Sequence, residues 1–311
     1  MTQPPSISAI IPHYGDSEPT QALIAQLEAQ LGAPDIEIIV SDDCSPSPFP
    51  EGSGYQLIRR ERNGGFGSNV NSAAAAATGD YLLVLNSDLS LSPNFVSELA
   101  QAATKFPNTV ISPKVIEHGA ANYTARRWPK ARHHAWEWLT PLARIRHTKL
   151  WHRFVGHDLR AHASSSAVQV DWVMGACMLI PRDAFERVGG MDERFFMNSE
   201  EVDLQRRLSE VGVPSMYVPE ISVEHAAGGS TPSDRRRGWV TDSRFQYAQK
   251  WGGVRGLRAL LLIATDINFL WNLTRQARRV QGVNARRTRR HERQLIAHAW
   301  AMRHGKEGYQ P

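Results

Sequence analysis

Short apolar runs and helical patterns alternate along the first part of the chain. Mostly apolar runs at positions 7–11, 36–40 and 81–85 are each short enough for a buried strand, and residues 56–59 are predicted as a further strand. Leu23, Ile24 and Leu27 recur at helical spacing between the first two runs, and an alanine-rich helical segment at 73–77 precedes the run at 81–85. Strand, helix and strand at this separation predict βαβ units. We therefore predict an α/β fold with a mostly parallel central sheet flanked by helices.

Polar residues follow the predicted strands. They are residues 12–14 after the first strand, Asp42 after the second, and Asp88 shortly after the fourth. Ligands of open α/β sheets bind beyond the carboxyl ends of the strands, so these residues are candidates for one site. An aspartate at a strand end is also a common turn former, and this alternative stays open for Asp88.

A second group of candidates lies in the middle of the chain. Residues 172–181 form an apolar run that we predict as one core strand. Glu200, Glu201 and Asp203 then fall in the first turn of a predicted helix, where the helix dipole favours carboxylates with or without a catalytic role. His225 ends a later apolar run just before a glycine-containing stretch. Neutral imidazole is a common metal ligand, although a structural histidine is the alternative.

The combination of these segments resembles the family 2 glycosyltransferases of the GT-A type, in particular their rhamnosyltransferase-like branch. The resemblance covers about residues 7–231, and it is carried by SAIIPHY, IIVSDDCS, NGGFGSNVNSA, YLLVLNSDLSL, DWVMGACMLIPRDAFERVGGMDERFFMNSEEVDLQRRL and VEHAAGGST. It implies a GT-A nucleotide-sugar-binding fold and an inverting transfer of rhamnose or a hexose from a dTDP- or UDP-sugar. The implied acceptor is a cell-envelope glycan or a sugar linked to polyprenyl diphosphate.

The resemblance also implies a role for individual residues. Asp88 and His225 would bind a divalent cation, Mg²⁺ or Mn²⁺, and Glu201 would be the general base with Glu200 and Asp203 as supporting acids. Trp172 and Gly175 are predicted on the acceptor side. The nucleotide-binding residues would be Pro12, His13, Tyr14, Asp42, Asn63, Gly65, Asn71 and Asp88. Glu201 stands where the family usually has aspartate, and this difference concerns the acceptor side most.

The charge of the chain is uneven along its length. The net charge is +5, whereas residues 253–311 contain twelve Lys or Arg and three Asp or Glu, a balance of +9 that leaves −4 for the rest. Residues 126–162 contain nine Lys or Arg, six His and four Trp. We predict a catalytic domain at 1–252 with a Trp/Arg-rich insertion at 126–162, and a basic, amphipathic helical extension at 253–311. The insertion suits a membrane or glycan surface, or else a helical lid anchored by tryptophan.

The sequence also bears on where in the cell the protein is located. The N-terminus lacks the pattern of a signal peptide, no run of 18 apolar residues occurs, and two cysteines do not make a disulfide framework. Cys44 and Cys177 are predicted as buried thiols. We expect a cytoplasmic protein held peripherally on the inner face of the membrane by its basic extension, although a solvated helix face is the simpler explanation of the charge. The oligomeric state is not predicted.

Three other functions fit the sequence less well. The basic tail suits nucleic acid, but no recognised nucleic-acid-binding motif accompanies it. The glycines at 64, 65 and 67 follow the third predicted strand rather than the first, which disfavours a dinucleotide fingerprint. A nucleotidyltransferase would need a loop rich in glycine and basic residues after the first strand, and that loop is missing.

Overall fold

The computed structural model describes residues 5–226 and 233–304. The strands are β1 Ile7–His13, β2 Ile36–Asp42, β3 Gln56–Arg59, β4 Tyr81–Leu85, β5 Leu89–Ser90, β6 Val110–Glu117, β7 Ala120–Ala121, β8 Ala125–Arg126, β9 Val168–Val170, β10 Trp172–Val173, β11 Cys177–Pro181 and β12 Ser215–His225. The helices are α1 Glu18–Glu28, α2 Gly65–Ala74, α3 Phe95–Lys105, α4 Ala131–Trp138, α5 Lys149–Phe154, α6 Leu159–His162, α7 Arg182–Arg187, α8 Glu200–Glu210, α9 Ser233–Trp251, α10 Val254–Ala277 and α11 Ala285–His304, with a 3₁₀ helix at Thr140–Ile145.

The first half of the main sheet is parallel. Its order is β3-β2-β1-β4, and all three pairings between these neighbours are parallel. The four strands lie where they were predicted; α1 makes the crossover from β1 to its neighbour β2, and α2 connects β3 to β4. Their carboxyl ends therefore share one edge of the sheet.

The second half of the sheet is mixed. After β4 the order continues β11-β6-β12-β5, where only β6 and β12 run parallel to each other. The pairing of β12 with β6 shifts register between Val218 and Ser222 and then aligns His225 with Glu117. The short β5 pairs with the end of β12, which aligns His225 with Leu89. The last residues of β6 and β12 are thus brought beside the segment that follows β4.

Alternate strand residues pack into two separate cores. Ile7, Ala9 and Ile11 of β1 belong to one apolar cluster, whereas Ile10 belongs to the other. This period of two shows that both faces of the sheet are covered, as expected for central strands that are continuously apolar.

The predicted strand at residues 172–181 is wrong as a single element. Trp172 and Val173 leave the main sheet and pair with β8 in a separate two-stranded sheet, while β11 begins at Cys177. Residues 174–176 separate the two strands, and one of them is Gly175. An apolar run does not reveal such a break, because both pieces are buried.

The chain divides into two compact units. One comprises Met1–Arg127 and Arg160–Ser230, and the other comprises Trp128–Leu159 and Thr231–Pro311. This division differs from the predicted division after residue 252, because α9 and most of the Trp/Arg-rich insertion belong with the C-terminal helices.

Buried polar contacts explain why the insertion belongs with the C-terminal helices. Trp138 is in the apolar core that α9, α10 and α11 share, and its Nε1 donates to Thr265 Oγ1 at 3.0 Å. Asn268 donates to Trp138 O at 2.9 Å and accepts from Thr140 N at 2.7 Å. Glu292, which is also buried, pairs with Arg237 at 2.8 Å.

No helix within residues 5–226 and 233–304 combines the length and apolar character needed to cross a membrane.

Candidate active site

Asp88 and His225, which are far apart in the sequence, are in contact. Asp88 Oδ1 lies 3.0 Å from His225 Nε2, and the other ring nitrogen, Nδ1, lies 2.8 Å from Glu117 Oε1. The pairing of β5 and β6 with β12 produces this contact, since Leu89 and Glu117 are the register partners of His225. Sequence analysis paired Asp88 with His225 but missed Glu117, although Glu117 ends an apolar strand as Asp42 does.

The two carboxylates hold the imidazole in its charged form. The hydrogen bond to Asp88, supported by that to Glu117 and opposed by burial, raises the pKa of His225 to about 9. Burial acts to raise the pKa of Asp88, but the bond and charge of His225 outweigh it and lower that pKa. At neutral pH the imidazolium therefore donates to both carboxylates, and a proton lies where a cation could bind Asp88 and His225 together.

The chemistry of Asp88 and His225 fits a divalent cation that takes further ligands from a substrate. Within residues 5–226 and 233–304 no three His, Cys, Asp or Glu side chains form a complete metal site. Mg²⁺ and similar ions are commonly held by one or two protein ligands together with substrate phosphates. Glu117 accepts from the remaining nitrogen of His225, which is the usual partner of a metal-bound histidine. The side chain of Asp88 is partly exposed and open to such a ligand.

Glu200 and Glu201 begin α8 as predicted, after an unusual turn. Asn198 and Ser199 both have positive φ angles, 72° and 68°. Non-glycine residues adopt this conformation at a cost, and such residues are enriched at functional sites. The turn places both glutamates at the positive end of the helix.

Each of these glutamates has one carboxylate oxygen without a partner. Oε2 of Glu200 and Oε2 of Glu201 are buried and form no hydrogen bond. Burial raises the pKa of Glu201 against the backbone hydrogen bonds and the charge of Arg126 that lower it. Burial, and next the charge of Glu201, raise the pKa of Glu200 well above its usual range. A buried carboxylate with spare acceptor capacity and a raised pKa is a typical general base.

A chain of close contacts connects Glu201 with the segment that carries Asp88. A Cβ added at Gly175 would lie 3.3 Å from Glu201 Cβ, so the α8 terminus lies directly against the Gly175 backbone. The next residue, Ala176, accepts from Asn86 N at 2.9 Å. Asn86 is two residues before Asp88, and the β4–β11 pairing continues from this bond with Leu85 opposite Cys177. The general-base candidate and the cation-binding candidates therefore lie around the same end of β4.

The other predicted acidic and acceptor residues have structural partners. Asp203 is fully buried and pairs with Arg207 Nε at 2.9 Å rather than with the glutamates. Trp172 donates from Nε1 to Arg127 O at 2.9 Å, and the Arg126 guanidinium lies 5.6 Å from its ring centre. Arg126, which sequence analysis missed, thus connects the predicted acceptor side with the charge around Glu201.

Asp42 is buried and hydrogen-bonded to its own loop. Its two oxygens accept from Ser45 N and Phe49 N, both at 2.9 Å. Burial acts to raise its pKa, but the bonds from this loop lower it overall. Its predicted contact with a nucleobase remains a prediction. Cys44, predicted to be buried, is exposed with a φ of 58° in the same turn, whereas Cys177 is buried as predicted.

His13 lies beside Asp42 and retains an unused nitrogen. His13 Nδ1 is 2.9 Å from Thr20 Oγ1, and its buried Nε2 has no partner among the described residues. Burial lowers its pKa, so the ring is neutral at physiological pH. Pro12 is partly buried and Tyr14 is exposed. These residues lie at the carboxyl end of β1, where a nucleotide was predicted.

The remaining nucleotide-side candidates connect α2 to the segment before α8. Gly65 has a φ of 82°, and a Cβ there would lie 1.8 Å from Phe196 O, so only glycine fits. Asn63 Oδ1 accepts from Gly65 N at 3.2 Å. Asn71 exchanges two hydrogen bonds of 2.8 Å with the Met191 backbone. Asn63 and Asn71 therefore shape the loops around the site. The glycines of the predicted VEHAAGGST segment, at 228 and 229, lie outside the described residues.

The half-parallel sheet and the acidic cluster at one of its edges define a GT-A glycosyltransferase fold. A mannosyltransferase structure from Pyrobaculum calidifontis, in complex with GDP-Man and Mn²⁺, matches 98% of this chain and 89% of its own with a TM-score of 0.57 and 15% identity. The chain belongs to glycosyl transferase family 2, whose family model matches residues 8–188.

Two named relatives are rhamnosyltransferases. N-acetylglucosaminyl-diphospho-decaprenol L-rhamnosyltransferase of Mycobacterium tuberculosis is 28% identical over 244 residues, which are 71% of this chain and 76% of that protein. Rhamnosyltransferase WbbL of Escherichia coli K12 is 39% identical over 80 residues, which are 25% of this chain and 30% of WbbL. The predicted glycosyltransferase class and its rhamnosyltransferase-like branch are confirmed.

Proposed function

We propose that this glycosyltransferase transfers rhamnose or a hexose, with inversion, from a dTDP- or UDP-sugar to a sugar carried on polyprenyl diphosphate. The name of the Mycobacterium tuberculosis relative supports rhamnose and an acceptor sugar on a diphospho-decaprenol, and the name of the Escherichia coli relative supports rhamnose. The observation that carries the proposal is the Glu201 carboxylate, whose buried Oε2 has no hydrogen-bond partner and which lies around the same strand end as Asp88 and His225.

In the proposed reaction Glu201 accepts the proton of the acceptor hydroxyl as that oxygen attacks the anomeric carbon. The bond between the anomeric carbon and the diphosphate oxygen breaks, and the nucleoside diphosphate leaves with the electron pair. A single displacement of this kind inverts the anomeric centre and forms no covalent bond to the protein. Burial raises the proton affinity of Glu201, and the charge of Glu201 in turn helps to raise that of the neighbouring Glu200.

Asp88 and His225 would hold the divalent cation, which supplies charge neutralisation for the departing diphosphate. Glu117 would keep His225 oriented by accepting from Nδ1, as it does in the structure. Mn²⁺ and Mg²⁺ both suit an oxygen-rich site that is completed by a diphosphate. We propose one of these two ions as the cofactor.

The donor and acceptor can be tested directly. Thermal-shift titrations of the full chain with dTDP-rhamnose, UDP-hexoses and GDP-mannose, each with Mn²⁺, should show stabilisation by a dTDP- or UDP-sugar alone. The preferred donor is then incubated with a short-chain analogue of N-acetylglucosaminyl diphospho-polyprenol, and NMR of the product should show an inverted anomeric centre. Retention of configuration, or stabilisation by GDP-mannose only, would contradict the proposal.

We also propose that the protein contacts the cytoplasmic face of the membrane peripherally, through its helical C-terminal unit. On α10, Ile263, Ile267 and Leu270 are 56%, 44% and 62% exposed, and their spacing places them on one face. The apolar side chains Leu150 and Phe154 are also exposed within this unit. Exposed apolar residues beside many arginines are typical of a helix that lies in the membrane interface.

Vesicle flotation tests this membrane contact. Ile267→Gln with Leu270→Gln should reduce the fraction of full-length protein that floats with vesicles containing anionic lipid. The matched control is Leu31→Gln with Val211→Gln, which removes two exposed apolar residues from the other unit. Equal flotation of the two double variants would show that the α10 face is not a membrane contact.

A further inference from the structure

A groove between α10 and α11 combines an apolar floor with several arginines. Its volume is about 620 Å³, and its apolar lining includes Leu262, Phe269 and Ile296. The basic side chains that line it are Arg258, Arg286, Arg289, Arg290 and Arg293. All of these residues belong to the C-terminal unit. The candidate catalytic residues all belong to the other unit, and the proposed reaction uses none of the groove residues.

Three of these arginines have partners within the C-terminal unit. Arg289 Nε pairs with Asp266 at 2.8 Å, and Arg293 lies 3.6 Å from the same carboxylate. The Arg258 guanidinium lies 4.4 Å from the ring centre of Trp300. Asp266 thus offsets part of the positive charge on one side of the groove.

Arg286 and Arg290 differ from these three. Both are exposed, and neither forms an ion pair within residues 5–226 and 233–304. They are four residues apart on α11, so their side chains lie on the same face, where two like charges destabilise a helix. Arg286 is also in the first turn of α11, where the positive helix end disfavours a cation and favours an anion. An anionic group between the two guanidiniums would relieve both unfavourable interactions.

The floor of the groove indicates which anion it takes. A free phosphate or a nucleic-acid backbone gains nothing from the partly exposed side chains of Leu262 and Phe269, whereas the glycerol and first methylenes of a lipid do. Arginine suits phosphate because its planar fork donates two parallel hydrogen bonds.

We propose that this groove binds the phosphate of an anionic membrane phospholipid, with Arg286 and Arg290 as its phosphate-binding residues. The inference rests on the proposed membrane contact and adds a defined headgroup site to it. It predicts one lipid bound per protein, and a dependence on the phosphate-bearing headgroup that general surface charge does not produce.

The test compares two double variants of equal net charge. Arg286→Gln with Arg290→Gln removes the two groove arginines, and Arg255→Gln with Arg287→Gln removes two exposed arginines of the same two helices that do not line the groove. Each full-length protein is titrated by calorimetry with micelle-free dihexanoyl phosphatidylglycerol, and with dihexanoyl phosphatidylcholine as the neutral lipid. Flotation with phosphatidylcholine vesicles, with and without phosphatidylglycerol, is measured in parallel.

We expect wild type and the Arg255/Arg287 variant to bind one phosphatidylglycerol, and the Arg286/Arg290 variant to bind it about tenfold or more weakly. Equal weakening in both variants would overturn the groove site in favour of diffuse charge. Binding of inorganic diphosphate or a short single-stranded DNA as tightly as the lipid would also overturn it. If wild type binds no vesicles, the membrane contact fails, while donor and acceptor assays still decide the transferase proposal.

Discussion

The two charged clusters of the candidate active site are built in opposite ways. In the cluster of Asp88, His225 and Glu117, one imidazolium lies between two carboxylates, and both of its nitrogens are within 3.0 Å of an oxygen. In the pair of Glu200 and Glu201, two like charges lie next to each other, and each glutamate retains a buried oxygen without a partner. The first cluster contains opposite charges in contact, whereas the second contains only carboxylates.

Because of this difference, the two clusters suit different steps of the proposed reaction. In the proposed reaction, the opposite charges of the first cluster would keep its geometry without a ligand, and the cluster would exchange its proton for a cation when a diphosphate binds. In the pair of Glu200 and Glu201, the charged form of each carboxylate is destabilised. The resulting high pKa increases the tendency of Glu201 to take a proton from an alcohol. The pairs of His225 contribute stability that is lost as pH rises through about 9, whereas the raised pKa of Glu200 costs stability above its unfolded pKa, and this offers ways to test the comparison.

The largest effect should come from Glu201→Gln. Without the base, kcat should fall by about 10²–10⁴, because general-base catalysis contributes on this scale. Donor affinity should change little, since Glu201 acts on the acceptor. Transfer rates and donor thermal shifts measure the two quantities separately. Glu210→Gln, at the exposed end of the same helix, is the matched control. Near-normal turnover of Glu201→Gln would show that Glu201 is not the general base.

The pH dependence of cation binding should be the next largest effect. Because the pKa of His225 is raised to about 9, the imidazole is protonated at neutral pH and must lose that proton to become a ligand. Affinity for Mn²⁺ with a nucleoside diphosphate should therefore rise about tenfold per pH unit between pH 7 and 9 and level off above. Electron paramagnetic resonance titration under nitrogen measures this.

The control for that experiment is Asp88→Asn, which removes the strongest influence on the histidine. Its affinity should be lower throughout, and the levelling should occur at a lower pH, because the hydrogen bond to the Asp88 carboxylate is the main cause of the raised pKa of His225. Wild-type affinity that does not change between pH 7 and 9 would show that His225 does not exchange its proton for the cation.

Much of the site could be predicted from local sequence patterns. The strands of the parallel half follow from apolar runs, and the residues after them follow from the rule that strand ends bind ligands. The start of α8 follows from three acidic residues before a helical pattern. These signals are local, so one sequence is sufficient to read them.

What could not be predicted depends on long-range register and on backbone conformation. Glu117 joins His225 only because β12 runs parallel to β6 and shifts register between Val218 and Ser222. The break after Val173 is hidden because both strands are buried. The pairing of Trp138 with α10 likewise spans more than a hundred residues, so the grouping of the insertion with the C-terminal helices has no local signal.

Gly175→Ala should lower kcat less than Glu201→Gln does. The added Cβ would lie 3.3 Å from Glu201 Cβ and 3.4 Å from its Cγ, so the base must move by a few tenths of an ångström. We expect kcat to fall about tenfold with little loss of donor affinity, because transfer is sensitive to the position of the base. Gly238→Ala, whose Cβ would meet nothing within 4 Å, is the control. Unchanged turnover in both variants would mean that Glu201 is not held against Gly175 in solution.

The smallest expected effect is a gain in stability. Burial and the charge of Glu201 raise the pKa of Glu200 well above 4.5, so the folded state favours its protonated form. The stability that this proton provides is complete below the unfolded pKa and is lost as pH rises through the folded pKa. At pH 7, above the unfolded pKa, this shift therefore costs the fold stability, and Glu200→Gln should increase the free energy of unfolding by about 1–2 kcal/mol.

Urea unfolding at pH 7 and pH 4 separates this charge effect from packing. The advantage of Glu200→Gln should disappear at pH 4, where wild type carries the proton, while Glu210→Gln should match wild type at both values because its side chain is exposed. If Glu200→Gln were instead destabilising by the same amount at both pH values, Glu200 would be held by a specific hydrogen bond. Both clusters would then be held by specific contacts, and the contrast between them would be lost.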